Sequence, residues 1–180
     1  MARKKNRSIV IIDGSNFYYK LKSLKYKETI NFEYSKWIKS VVGDSKIVSK
    51  YYCIGKIKAS QNNKKARKMM AKQQSLVTRL VKLGFVIRYG YLLKSGGKYH
   101  EKGVDVQMAV DMLRDVYKNK CDQVVVVSSD SDLIPAIEEV QNEGKEVLYI
   151  GFKHQPSYAL LKACKRSMLL EKQDVEEFVK

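Results

Sequence analysis

The 180-residue sequence predicts an α/β fold in which a doubly wound parallel sheet carries helices on both sides. Two observations support this. Strand-like and helix-like segments alternate along the chain. Two of the strand-like segments, Ser8-Ile9-Val10-Ile11-Ile12 and Gln123-Val124-Val125-Val126-Val127-Ser128, are continuously apolar rather than alternating. A half-buried strand shows period-two alternation, whereas an unbroken β-branched run suits a central parallel strand covered on both faces.

The elements follow in order. The first strand, 8–12, stops at Asp13-Gly14. Asn31 suits the cap of a helix over 32–42, and 47–54 reads as a second strand. Residues 60–83 form a long basic helical pattern, with Met69, Met70, Leu76, Leu80 and Leu83 at helical spacing. A strand over 85–93, an amphipathic helix over 104–117 and the Val-rich strand 123–128 come next. The chain closes with a helix over 131–141, a strand over 146–150 and an edge piece at 168–170. With no proline-rich linker, repeat or low-complexity block, 8–180 is expected to be one domain and 1–7 a flexible basic tail.

No apolar run approaches the ~18 residues of a membrane span. The apolar run after the basic N-terminus breaks at Asp13, which does not suit an export signal, so a cytoplasmic location is expected. Cys53, Cys121 and Cys164 are widely spaced, no CxxC pair exists, and the only histidines are His100 and His154. That set argues against zinc and for reduced, hydrophobic cysteines.

Charge says more. Thirty-five basic residues against nineteen acidic ones give +16. Between Ser45 and His100 there is no Asp or Glu, while Lys and Arg occur 14 times. A single-sign field of this kind attracts polyanions, nucleic acid above all. Lys64, Lys65, Arg67, Lys68 and Lys72 stand on the long helix, and Lys102 with His100 precedes the next one, where they can reach phosphates. The five helix cations also suit a solvated helix face, and Lys102 with His100 equally suits a charged loop. Tyr18, Tyr19, Tyr51, Tyr52, Tyr89, Tyr91 and Tyr99 could stack on bases, but most adjoin strands and better suit the core or its rim, and sequence singles out none of them.

The acids are concentrated differently, in Ile12-Asp13-Gly14-Ser15-Asn16, in Lys102-Gly103-Val104-Asp105 through Asp111, and in Ser128-Ser129-Asp130-Ser131-Asp132-Leu133. In doubly wound sheets, sites form outside the carboxyl ends of strands where strand order reverses. If the two Val/Ile strands are neighbours there, Asp13 and Asp130 face each other. Asp105 shares a helical face with Met108, Ala109, Met112 and Val116, whereas Asp111 is expected to point elsewhere, to solvent or a hydrogen bond. Two unit charges ~4 Å apart repel by roughly 4 kcal/mol at an effective dielectric of 20, so clustered aspartates call for protons or a cation. Hard oxygen donors without His or Cys suit Mg²⁺ or Mn²⁺. Taken singly, Asp13, Asp130 and Asp132 also suit helix caps, and Asp105 a helix dipole.

Taken in order, these three segments resemble the NYN domain family, and its LabA-like branch within the PIN-like nuclease superfamily, from Ile9 to about Leu161. The resemblance implies a three-layer PIN-like, Rossmannoid fold with a central parallel sheet in the order 3-2-1-4-5. It also implies Asp13, Asp105 and Asp130 as metal-coordinating carboxylates, with Asp132 as a fourth, and Asn16 orienting Asp13 or contacting the scissile phosphate. The implied activity is metal-dependent cleavage of single-stranded or structured RNA. A catalytically silent RNA-binding module on the same fold is the rival. A small-phosphate hydrolase fits only the spacing of Asp130-Ser131-Asp132. The oligomeric state stays open, a homodimer included. Late in the chain, Ala163-Cys164-Lys165-Arg166-Ser167-Met168 stands where relatives often carry an Ala-Asp-x-Phe-like stretch, so the packing of the last helix and strand is open.

Overall fold

The computed structural model describes residues 6–26, 31–57, 63–95 and 98–179, with 92, 94, 95 and 98–101 described by backbone alone. In chain order it contains β1 (Arg7–Asp13), α1 (Gly14–Ser23), α2 (Tyr34–Val42), β2 (Lys46–Gly55) and α3 (Lys64–Lys82). Then come β3 (Val86–Ser95), β4 (Lys98–Lys102), α4 (Val104–Tyr117) and β5 (Gln123–Val127). A 3-10 turn, Ser131–Leu133, leads into α5 (Ile134–Asn142), followed by β6 (Glu146–Phe152), α6 (Tyr158–Ala163), β7 (Arg166–Leu170) and α7 (Lys172–Glu176).

The strands form one sheet in the order β4-β3-β2-β1-β5-β6-β7. Six of them, from β3 to β7, run parallel, and β4 alone pairs antiparallel, on β3. The expected order 3-2-1-4-5 corresponds to β3-β2-β1-β5-β6, which β7 extends. In β1 the unbroken apolar run divides by alternation. Val10 and Ile12 enter a core with Phe17, Trp37 and Leu80 of α1–α3, whereas Ile9 and Ile11 enter one with Met108, Met112 and Ile137 of α4 and α5. Val125 and Val127 of β5 follow the first set and Val124 and Val126 the second. Burial on both faces is the physical cause of the continuous hydrophobicity.

Several boundaries differ from the sequence expectation. β1 begins at Arg7, whose guanidinium bonds Asp122 and the Asn119 carbonyl across the start of β5, so this residue of the expected tail is part of the sheet. That contact holds the Asp122 carboxyl at about 2. Residues 1–5 lie outside the described ones. The second helix starts at Tyr34 rather than Phe32, and Asn31 is not its N-cap; that position is Glu33, whose carboxylate pairs with Lys36 at 2.6 Å rather than capping the backbone. Phe32 is instead drawn into the core against Phe17 and Trp37. Strand β4 is not legible in the sequence because Lys98-Tyr99-His100-Glu101-Lys102 has no apolar pattern, and helices α6 and α7 are too short to show a period. The divergent Ala163–Met168 stretch ends α6 and opens β7, which pairs in register with β6.

No helix of the described residues is long and apolar enough to cross a membrane. The three cysteines are free and buried, and burial pushes the thiols of Cys121 and Cys164 up to about 11, as expected of inert packing residues.

Candidate active site

β1 and β5 are hydrogen-bonded neighbours, with Ile12 opposite Val127, and strand order reverses between them. The condition for Asp13 and Asp130 to meet is therefore satisfied. Asp13 Oδ1 accepts the Asn16 N–H at 2.9 Å and so caps α1, while Oδ2 accepts from the Ser128 hydroxyl at 3.1 Å. The same Ser128 oxygen accepts the Asp130 N–H at 3.1 Å. Asp130 in turn caps the 3-10 turn, its Oδ1 accepting the Asp132 N–H at 3.0 Å. Asn16 is fixed from the other side, its Oδ1 accepting from Ser129 at 3.2 Å. Gly14 is required by packing, since a Cβ there would overlap the Tyr52 ring.

Helix α4 delivers the third acid. Oxygens of Asp105, Asp130 and Asp132 lie within 4.8 Å of one another, Asp105 and Asp130 half-buried and Asp132 exposed. No ion pair among the described residues reaches these three. Three carboxylates so close repel, least at exposed Asp132 where water screens, and a hard divalent cation is the ligand that such an oxygen-only donor set fits. Asp13 stands beside this group with its carboxylate engaged by Asn16 and Ser128. The capping roles open to Asp13 and Asp130 thus coexist with their place at the switch point.

Asp111 points away from this group, and of the two roles the sequence leaves it, solvent or a hydrogen bond, the structure shows the hydrogen-bonded one. It does not face solvent: it is 0% exposed, bound by Arg88 through Nε at 2.7 Å and by Arg114 at 2.6 Å. Asp115, one turn on, is equally buried and accepts from Tyr51 at 2.5 Å and Lys120 at 2.9 Å. Burial alone would raise the Asp115 carboxyl, but the bonds from Lys120 and Tyr51 outweigh it and lower its pKa. Both guanidinium groups lie near the Tyr51 ring. The inward stripe of α4 is therefore Val104, Met108, Asp111, Met112, Asp115 and Val116. The i, i+4 spacing of Asp111 with Asp115, next to Met108 and Met112, was the available signal.

The basic residues surround the same end of the sheet. Gln73 of α3 donates to the carbonyl of Gly55, the last residue of β2, and accepts from the Ile57 N–H. The nine residues before it, 64–72, therefore continue about 13 Å of helix beyond the carboxyl edge of β2. Lys64, Lys65, Arg67, Lys68 and Lys72 are all exposed there, and the buried residues of α3, Val77 and Leu80, come after Gln73. β3 pairs with β2 only as far as Gly90; from Tyr91 it pairs with β4 alone, as an arm beyond the same edge. Lys102 closes that arm and is exposed, while the side chain of His100 lies outside the described ones.

The sequence matches the profile of the NYN domain over residues 7–171. A segment of 57 residues, 32% of the chain, is 40% identical to an uncharacterized protein of Methanocaldococcus jannaschii, of whose length the match spans 24%. Among solved structures, a protein of unknown function from Vibrio parahaemolyticus superimposes with a TM-score of 0.71 over 97% of this chain and 98% of that one, at 20% identity. That likeness establishes the shared α/β architecture.

Proposed function

The chain belongs to the NYN domain family, whose domains are generally nucleases, and on that premise we propose that it is a Mg²⁺- or Mn²⁺-dependent ribonuclease. The order of its acidic motifs favours the LabA-like branch. The observation that supports the reading best is the convergence of Asp105, Asp130 and Asp132 at the strand-order reversal. These three would hold the ion. A divalent cation held by them would lower the pKa of a water and offset charge developing on the phosphate. Asp13, tied to Asp130 through Ser128, adds a fourth negative charge and keeps the ends of β1 and β5 in register. Asn16 has its carbonyl oxygen occupied by Ser129, which leaves its amide nitrogen to donate to a phosphate oxygen. Lys102 and the cations of α3 hold flanking phosphates by charge.

The test is incubation of single- and double-stranded RNA and DNA with Mg²⁺, Mn²⁺ or excess chelator. RNA is cleaved with metal and left intact with chelator. Undiminished cleavage in chelator sinks the mechanism, and RNA binding without cleavage in any metal points to a silent binding module.

A further inference from the structure

The sequence singles out none of seven tyrosines for base stacking, and the fold separates one of them. Tyr91 lies where β3 leaves the sheet and becomes the arm, opposite Lys102 in register. Its ring rests against Gly103, so closely that a Cβ there would fall 3.2 Å from the Tyr91 Cδ2. Gly103 takes φ +78, a left-handed conformation that side chains rarely adopt, and serves as N-cap of α4 two residues before Asp105. The ring thus rests on the residue that starts the helix carrying Asp105, two positions ahead of that acid. It is nonetheless 74% exposed, a large aromatic surface left to solvent.

The other tyrosines differ. Tyr51 and Tyr52 are buried. Tyr89, two residues earlier on β3, already has the Lys56 ammonium over its ring at 5.7 Å. Tyr18 and Tyr19 pack edge to face on each other. The side chain of Tyr99 lies outside the described ones. Lys102, exposed and opposite Tyr91 in register, supplies positive charge for a phosphate, and the exposed cations of α3 extend beyond the same carboxyl edge of the sheet. An open aromatic face beside basic side chains is how single-stranded nucleic acid is gripped without regard to sequence.

We infer that Tyr91 is a binding residue for RNA that stacks on an unpaired base next to the bond held at Asp105, Asp130 and Asp132. The inference rests on the ribonuclease reading. It goes further by making an unstacked nucleotide, rather than charge alone, a requirement of the substrate. A base inside a duplex has both faces covered by its neighbours and cannot use the ring.

The experiment compares wild type, Tyr91→Ala and Tyr91→Phe. It measures fluorescence anisotropy of a short labelled single-stranded RNA, and of the same strand annealed to its complement, in chelator, followed by cleavage kinetics in Mn²⁺. The Ala variant should bind the single strand roughly tenfold more weakly, with the duplex little changed. The Phe variant, which keeps the ring, should match wild type. In Mn²⁺ the Ala variant should show a raised KM and a largely retained kcat. Wild-type single-strand binding by Tyr91→Ala, equal losses in Tyr91→Phe, or equal losses on the duplex each overturn the stacking role. Wild type that neither binds nor cleaves RNA overturns the ribonuclease reading itself.

Discussion

The Ser128 hydroxyl donates to Asp13 Oδ2 at 3.1 Å and so joins the carboxyl ends of β5 and β1 across the point where strand order reverses. Because the same oxygen accepts the Asp130 N–H, one small side chain sets the spacing of two acidic motifs that lie 115 residues apart along the chain.

Replacing Asp130 with Asn removes charge from the acidic group but keeps an oxygen that can accept the Asp132 N–H. Thermal stability should stay within ~0.5 kcal/mol of wild type. Cleavage should fall by orders of magnitude, and RNA affinity in chelator should stay level or rise slightly. Loss of stability together with affinity, at retained specific activity, would reduce Asp130 to a cap.

Asp111→Ala should be far more costly to the fold. Its carboxylate is fully buried between Arg88 and Arg114, and removing one partner of such a group leaves cations poorly compensated, at roughly 3 kcal/mol or more. Denaturant unfolding measures this directly. A change below ~0.5 kcal/mol would show that water replaces the carboxylate without penalty.

Changing Lys64, Lys65, Arg67 and Lys68 together to Ala tests the basic overhang of α3. All four are exposed, so folding should be preserved. Binding should weaken for all RNA sequences alike, and the slope of log affinity against log salt should flatten by up to about 0.7 for each phosphate no longer neutralised. Cleavage of a very short oligonucleotide should change less than that of a long one. An unmoved salt slope would make this helix an ordinary solvated face.

Much of this was legible locally. The unbroken runs of β1 and β5 announced a sheet buried on both faces, and Asp13 and Asp130 stood where those runs stop, because hydrophobic period and strand ends are properties of neighbouring residues. The charge asymmetry of residues 45–100 was equally plain. Tertiary structure decided what depends on distant partners. It brought Asp132 rather than Asp13 into the tight group with Asp105, and turned Asp111 inward to Arg88, 23 residues away. It also set the Tyr91 ring on Gly103, the N-cap of the helix that carries Asp105. A carboxylate on a helix reads the same in sequence whether it meets water, a cation or a guanidinium. Only the packing of α4 on the sheet, which places Arg88 under Asp111 and leaves Asp105 at the open end, determines which it meets.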